Sequence, residues 1–276
     1  MKYTPKTFYI PLVILFVFSS LVNTHGQTAD NLPLRLKVGT YNIGHFNQGR
    51  LGGFQWTGKN TVTAELNNWK KWIGEQGLDI LGVNEWNRYF DKDSTYDATA
   101  ELLDPYYSRV YFGDENTWIY NGIATNYNLN NIRQVNSYGD YYAILGDLKI
   151  GDKIITIIST HLPWQKQWHD DSVADLIQLL GELEYFICLG DMNAHDANQQ
   201  LFIEAGFNMA NGGDMGWFQT AAAKSAASGY TGTADVNIDN IITSANIRIM
   251  NVRVPKTGLN DLDHLPVLAD VIVVWD

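Results

Sequence analysis

The 276-residue sequence contains one cysteine, Cys188, so no disulfide can close within the chain. Its stability must come from a packed core, which a chain of this length is able to build. Cys188 lies in the apolar run Tyr185-Phe186-Ile187-Cys188-Leu189, the setting of an inert buried strand residue rather than of a nucleophilic thiol. Positive charge is scarce too: 19 Lys+Arg stand against 30 Asp+Glu, a formal charge of -11, with no basic run longer than Lys70-Lys71. Such a surface does not attract polyanions over its whole extent, although a bound cation and a few lysines can reverse the potential within one cleft. No Pro/Ser/Gly-rich spacer, low-complexity run or short-period repeat interrupts residues 34–276. One domain over residues 27–276 is therefore expected.

The apolar run from Phe8 to Val22 is short for a membrane span. Fifteen residues at about 1.5 Å each cover about 22 Å of a hydrocarbon core about 30 Å thick. Lys2 and Lys6 precede the run and the small residues Thr24 and Gly26 follow it, the layout of a signal peptide over residues 1–26. No cysteine stands at that junction to carry a lipid. The expectation is a secreted or periplasmic protein without a membrane anchor after processing, and loss of Lys2 and Lys6 takes the formal charge from -11 to -13.

Leu34 to Asn42 alternates apolar and polar residues as a strand does and delivers Asn42 to a Gly-rich, aromatic stretch ending near Lys59. Val62, Leu66, Trp69 and Ile73 fall at helical spacing between Thr61 and Gln76, and Gly77 is placed to end that helix. A buried strand from Leu78 to Asn84 follows. A second helix over Trp168–Leu183 and a strand over Tyr185–Gly190 repeat the unit, and Tyr141–Ile150 with Lys153–Thr160 form a hairpin turning at Gly151-Asp152. Strands and helices interleave without strict alternation, which favours an α/β (α+β) four-layer αββα sandwich: two mixed β-sheets packed face to face with helices on the outside.

Polar residues recur at the ends of these apolar runs. Asn42 follows the first strand, Glu85 ends Leu78–Asn84, and His161 ends Ile154–Thr160. Asp191 and Asn193 flank Met192 after the strand ending at Gly190, so both project from one strand end. Asp239 interrupts Asn237–Ile242, where a charge needs a partner, and Asp263-His264 precedes the final strand. Each has a plain structural explanation by itself, as a cap, a turn or a satisfied core histidine.

Together and in this order, these residues resemble the motifs of the endonuclease/exonuclease/phosphatase superfamily, also called deoxyribonuclease-I-like, over nearly the whole chain after the leader. The matching stretches are Thr40-Tyr41-Asn42, the run ending in Glu85, Ser159-Thr160-His161-Leu162, Gly190-Asp191-Met192-Asn193, Ile238-Asp239-Asn240-Ile241 and Asp263-His264-Leu265-Pro266-Val267. Asn84 departs from the family's usual Gln and Asn240 from its frequent Tyr. Neither removes a proposed catalytic group, and both bear on contacts around the site and so on substrate preference.

The resemblance implies a metal-dependent phosphoric ester hydrolase. Glu85 would be the main ligand of a divalent cation, helped by Asn42 and Asp263. Oxygen donors suit Mg²⁺ or Mn²⁺, and the lack of a Cys/His cluster argues against structural zinc. Asp191 would activate the attacking water, and Asn193 would hold that water or a phosphoryl oxygen. His264, oriented by Asp239, would contact the phosphate, and His161 would bind a phosphate oxygen or protonate the leaving group. A small phosphate ester or lipid headgroup is expected ahead of nucleic acid, with no protein partner implied. The alternatives are a secreted endonuclease acting on DNA or RNA and a catalytically silent binding module on the same fold. Arg50, Trp56 and Lys59, with Trp86, Trp118 and Trp164, could frame an aromatic pocket beside the motifs, and Arg50, Lys59 and Lys166 a small basic patch.

Overall fold

In the computed structural model, residues 33–44, 59–86, 88, 97–114, 120–222, 234–257 and 263–275 are described; the side chains of 59–65 and 196 are not. The leader over residues 1–26, Arg50, Trp56, the Lys59 side chain and Trp118 lie outside the described residues. Two six-stranded sheets form the body. The first has the order β11-β12-β1-β2-β4-β3, from β1 (Leu34–Asn42), β2 (Ile80–Asn84), β3 (Arg109–Phe112), β4 (Gly122–Thr125), β11 (Ile247–Arg253) and β12 (Val267–Val273). The second has the order β5-β6-β7-β8-β10-β9, from β5 (Leu129–Asn136), β6 (Tyr142–Ile150), β7 (Lys153–His161), β8 (Phe186–Asp191), β9 (Asn208–Met209) and β10 (Asp239–Thr243).

Both sheets are mixed, as the interleaved pattern predicts. β1 pairs parallel to β2 through helix α1 (Lys59–Gln76), and β7 pairs parallel to β8 through α3 (Lys166–Gly181). The remaining pairs are antiparallel, including the expected β6–β7 hairpin. The short helices α2 (Ala98–Leu102) and α4 (Asp196–Glu204) complete the outer layers.

Three apolar clusters show why these layers stack. Leu36, Val38 and Ile80 of one sheet meet Ile155, Ile157 and Leu189 of the other in the central cluster. Trp69 and Trp72 of α1 pack with Tyr41 and Leu102 outside the first sheet, and Val173, Leu176 and Leu180 of α3 pack with Phe186 and Cys188 outside the second. Each fully buried Leu or Ile contributes about 1.5–3 kcal/mol, so the period-2 and period-3.6 patterns decide the arrangement. α1 stops where Gly77 turns into the left-handed region at φ 57°. α3 runs Lys166–Gly181, two residues ahead of the expected Trp168–Leu183. It is closed by Glu182, whose N–H bonds the Leu179 and Leu180 carbonyls in right-handed backbone, so no left-handed glycine follows it as Gly77 follows α1. β2 begins at Ile80 rather than Leu78, because the Asp79 N–H is taken by the Lys37 carbonyl and the Asp79 carboxylate accepts from the Lys37 N–H.

Cys188 is fully buried and its thiol is pushed far above the usual range by burial. Native protein is expected to leave this thiol unlabelled by a chromogenic disulfide reagent, with one equivalent appearing in denaturant. Rapid labelling without denaturant would contradict its placement. Gly190 is held by close approach: a Cβ there would lie 2.0 Å from the backbone oxygen of Thr160 on β7. Gly190→Ala must therefore separate β7 from β8, and a loss of about 3 kcal/mol or more in denaturant unfolding is expected. Unchanged stability would show that the strands sit further apart.

Candidate active site

Strand register brings the polar strand ends together. Asn42 pairs with Asn84 across β1 and β2, and Glu85 follows directly. In the facing sheet His161 and Asp239 flank Asp191 from β7 and β10. His264 reaches the same end through a bridge to Ala221, the neighbour of Thr220, whose hydroxyl accepts from the Asp239 N–H. One end of the sandwich thus gathers residues that span positions 42 to 264.

Asp191 is 1% exposed, and an ionised carboxylate at that depth costs several kcal/mol unless compensated. Asn42 supplies part of the compensation: its Nδ2 donates to Asp191 Oδ2 at 2.9 Å and to Glu85 Oε1 at 3.1 Å, while its Oδ1 accepts from the Gly44 N–H at 3.0 Å. The Asn193 N–H donates to Asp191 Oδ1 at 2.8 Å. Asn193 Nδ2 also contacts His161 Nε2 and the Leu162 carbonyl, both at 2.8 Å. Accepting there leaves the proton of a neutral His161 on Nδ1, which lies 3.8 Å from Glu85 Oε1. Glu85 and Asn193 adopt positive φ, 50° and 45°. Such backbone costs about 1–3 kcal/mol for a residue with a Cβ, and two of the three non-glycine cases among the described residues fall in this cluster.

Asp239 is fully buried and its Oδ2 bonds His264 Nδ1 at 2.8 Å. His264 Nε2 lies 3.7 Å from Asp191 Oδ2. Asp239 Oδ1 is buried without a hydrogen-bond donor among the described residues. Glu85, His161 and Asp191 present ligand atoms within 4.8 Å of one another, and so do Asp191, Asp239 and His264. A metal ion fits this set, because the carboxylate oxygens converge with too few protein donors to neutralise them. Asp263 is half-buried and belongs to neither group, but its charge acts on both Glu85 and His264.

Burial pushes the Glu85 carboxyl up to about 7, with the negative charges of Asp263 and Asp239 adding to it. Asp191 is pushed up to about 8, first by burial and then by Asp239. Burial alone would lower His264, but Asp239, Asp191 and Asp263 hold it well above 6.5. All three shifts act on stability in one direction. A carboxyl raised in the fold resists ionisation that the unfolded chain undergoes near 4, and a raised histidine loses its advantage as it deprotonates. Chelator-treated protein should therefore lose thermal stability as pH rises from about 5 to 8, and Mn²⁺ should restore more at pH 8 than at pH 5. A melting temperature that climbs over this range without cation would contradict the arrangement.

Motif spacing does not disclose the polar network behind these groups. Asn84, on β2, bridges the two sheets: its Nδ2 donates to the Thr160 carbonyl and to Asn121 Oδ1, and its Oδ1 accepts from the Asp191 N–H at 3.2 Å. Asn121 is fixed by Tyr142, whose hydroxyl accepts its N–H at 2.7 Å. Asn240 holds Gln199 of α4 and both backbone groups of Asn211, which in turn donates to the Asp239 carbonyl. The departures at Asn84 and Asn240 thus tie strands into the frame behind Asp191 and Asp239. The only sequence signal for them is an amide inside an apolar strand.

The aromatic surround differs from expectation. Trp86 is 1% exposed, donates from Nε1 to Thr99 Oγ1 at 3.1 Å and packs against Trp69, so it belongs to the core and not to a pocket. Trp164 is 69% exposed. Lys166 is exposed, while Lys70 pairs with Glu101 at 3.1 Å.

Comparison with known proteins gives the family and the fold. The model of the Endonuclease/Exonuclease/phosphatase family matches residues 39–264, which include all the strand-end residues from Asn42 to His264. No curated protein sequence matches the chain. Among solved structures, an endonuclease/exonuclease/phosphatase from Beutenbergia cavernae superposes with a TM-score of 0.66 at 15% identity, covering 87% of this chain and 72% of that one. D. rerio TDP2 complexed with a single strand DNA product gives 0.63 at 10% identity, over 86% and 98% of the two chains. ANGEL2, a 2',3'-cyclic phosphatase in complex with adenosine-2',3'-vanadate, gives 0.61 at 13% identity, over 88% and 97%. At these identities the likeness concerns the fold, the same face-to-face sandwich. With the family match spanning most of the sequence, the chain belongs to the endonuclease/exonuclease/phosphatase family.

Proposed function

We propose that this protein is an exported hydrolase of phosphate esters, dependent on Mg²⁺ or Mn²⁺, whose chemistry occurs at the Glu85–Asp191–His264 cluster. The observation that carries this reading is the convergence of the partly buried Glu85 carboxylate and the buried Asp191 and Asp239 carboxylates with two histidines. Glu85 and Asp191 would hold the cation, with Asn42 keeping their oxygens together and Asp263 adding charge from the rim. A bound divalent cation supplies charge neutralisation for phosphoryl oxygens.

Asp191 orients the attacking water and takes its proton. His264, kept cationic by Asp239, donates to a phosphoryl oxygen. His161 stands across Asp191, with Nε2 3.4 Å from its carboxylate, and offers its Nδ1 proton as a hydrogen bond to a phosphate oxygen, while the proton for the leaving oxygen comes from the cationic His264. Asn193 acts through its neighbours, since its amide already spans His161 and Leu162 and its N–H holds Asp191. The full set of groups argues for turnover over a silent binding role. Processing after residue 26 and one domain over 27–276 belong to the same proposal.

The substrate is a small ester or headgroup in preference to duplex DNA. After loss of the leader 17 basic residues face 30 acidic ones, from totals of 19 and 30 of which the leader holds Lys2 and Lys6. Duplex binders recruit several Lys/Arg to phosphates. Specificity constants for duplex DNA, sugar and inositol phosphates, phospholipids and nucleotide esters, at low and physiological salt, test this. Duplex cleavage faster than every small ester at physiological salt would overturn it.

A further inference from the structure

Three residues after His161 the chain carries Trp164, 69% exposed while its neighbours Leu162 and Pro163 are buried. At about 3.8 Å per residue its Cα lies at most about 11 Å from that of His161, so an exposed indole starts within a side chain's reach of the cluster. Its backbone is held on both sides. The Leu162 N–H bonds the Asp191 carbonyl at 3.0 Å and the Leu162 carbonyl accepts from Asn193; beyond it, the Gln165 carbonyl accepts the Trp168 and His169 N–H groups that start α3. From the side, Tyr141 packs edge-on to His161 with ring centroids 5.3 Å apart. Burial pushes the Tyr141 hydroxyl up to about 12 against the opposing pull of the Gln165 side chain and the Trp164 backbone, both of which therefore lie beside it. Near the start of α3, Tyr138 stacks parallel on Trp168 with ring centroids 6.4 Å apart.

A large aromatic face kept in water on an anchored backbone three residues from His161 is a surface for a ring. We propose that Trp164 is a specificity-determining residue that stacks on the nucleobase of the substrate. The ester it selects is then a mononucleotide derivative or an unpaired nucleotide end. A single exposed indole cannot reach base faces closed inside a duplex, whereas base stacking on an aromatic side chain tolerates any unpaired base. This rests on the reading of the cluster as a phosphate-ester hydrolase and names its substrate class.

The test compares wild type, Trp164→Ala and Trp164→Phe in two measurements. The first is the ratio of kcat/KM for a nucleoside 5'-phosphodiester to that for a glycerol phosphodiester, which has no ring. The second is quenching of tryptophan fluorescence by adenosine monophosphate, which needs no turnover. The expected result is a ratio lowered on the order of tenfold by Trp164→Ala, through KM, and largely kept by Trp164→Phe, with quenching reduced in Trp164→Ala. An unchanged ratio with unchanged quenching would overturn the assignment. So would equal losses on both esters, which would make Trp164 a support for His161. Quenching that depends on Trp164 without turnover of any ester would uphold the base site while the hydrolase reading fails.

Discussion

Asp191→Asn is expected to cut Mg²⁺-dependent ester hydrolysis at least a hundredfold while the protein stays folded. Asp191 is the meeting point of the site: Asn42, Asn193 and the Asn84 amide all bond it, and both histidines approach its Oδ2. The amide keeps the size of the carboxylate but cannot take a proton from water, and it removes a negative charge from the cation's surroundings. One of its two side-chain contacts turns donor against donor, at a cost of about 1 kcal/mol, while the burden of burying a charge disappears. Stability should thus stay close to wild type. Glu85→Gln is expected to lose as much in rate, because it takes away the other carboxylate at the Asn42 amide. The two variants separate in cation dependence: Glu85→Gln should need far more Mg²⁺ for its residual rate. Near wild-type turnover in either variant, folded by circular dichroism, would refute its assignment.

Asp239 and His264 are expected to fail as one unit. The 2.8 Å bond to Nδ1 fixes the imidazole and keeps it cationic, so Asp239 matters to the reaction only while His264 is present. Asp239→Asn and His264→Ala should each lower kcat/KM on the order of a hundredfold, and the double variant should be at most a few times slower than the worse single one. Asp239→Asn should also move the alkaline limb of the pH–rate profile to lower pH, because the first of the charges that raise His264 is gone. A double deficit equal to the product of the single ones, with an unmoved profile, would separate the two residues.

How much of this the sequence discloses depends on the range of the interactions. Strands β1, β6 and β7 and helix α1 follow from local pattern: alternation, a two-residue turn at Gly151-Asp152, and helical spacing stopped by Gly77. The site residues are legible because a charged or polar side chain at the end of an apolar strand is costly without a purpose. Their agreement with family motifs adds order, and strand register then places them at one end. What local pattern does not reveal is pairing over long separations. Asn84 meets the Asp191 N–H across 107 residues and the Thr160 carbonyl across 76, and nothing in its immediate sequence distinguishes it from a strand-end cap. Trp86 and Trp164 also read alike as aromatics after a motif residue. Only the packing of α1 and α2 around one, and the buried neighbours of the other, separate a core side chain from an exposed one.

Hydrolysis of bis(p-nitrophenyl) phosphate by the chain lacking residues 1–26 tests the central claim most directly, with rates taken in chelator, in Mg²⁺ and in Mn²⁺ for wild type and Glu85→Gln. A cation-dependent rate in wild type that chelator abolishes and Glu85→Gln lowers at least a hundredfold is the predicted result. Wild-type hydrolysis that persists in chelator, or that Glu85→Gln leaves intact, would contradict a cation-assisted reaction at this cluster.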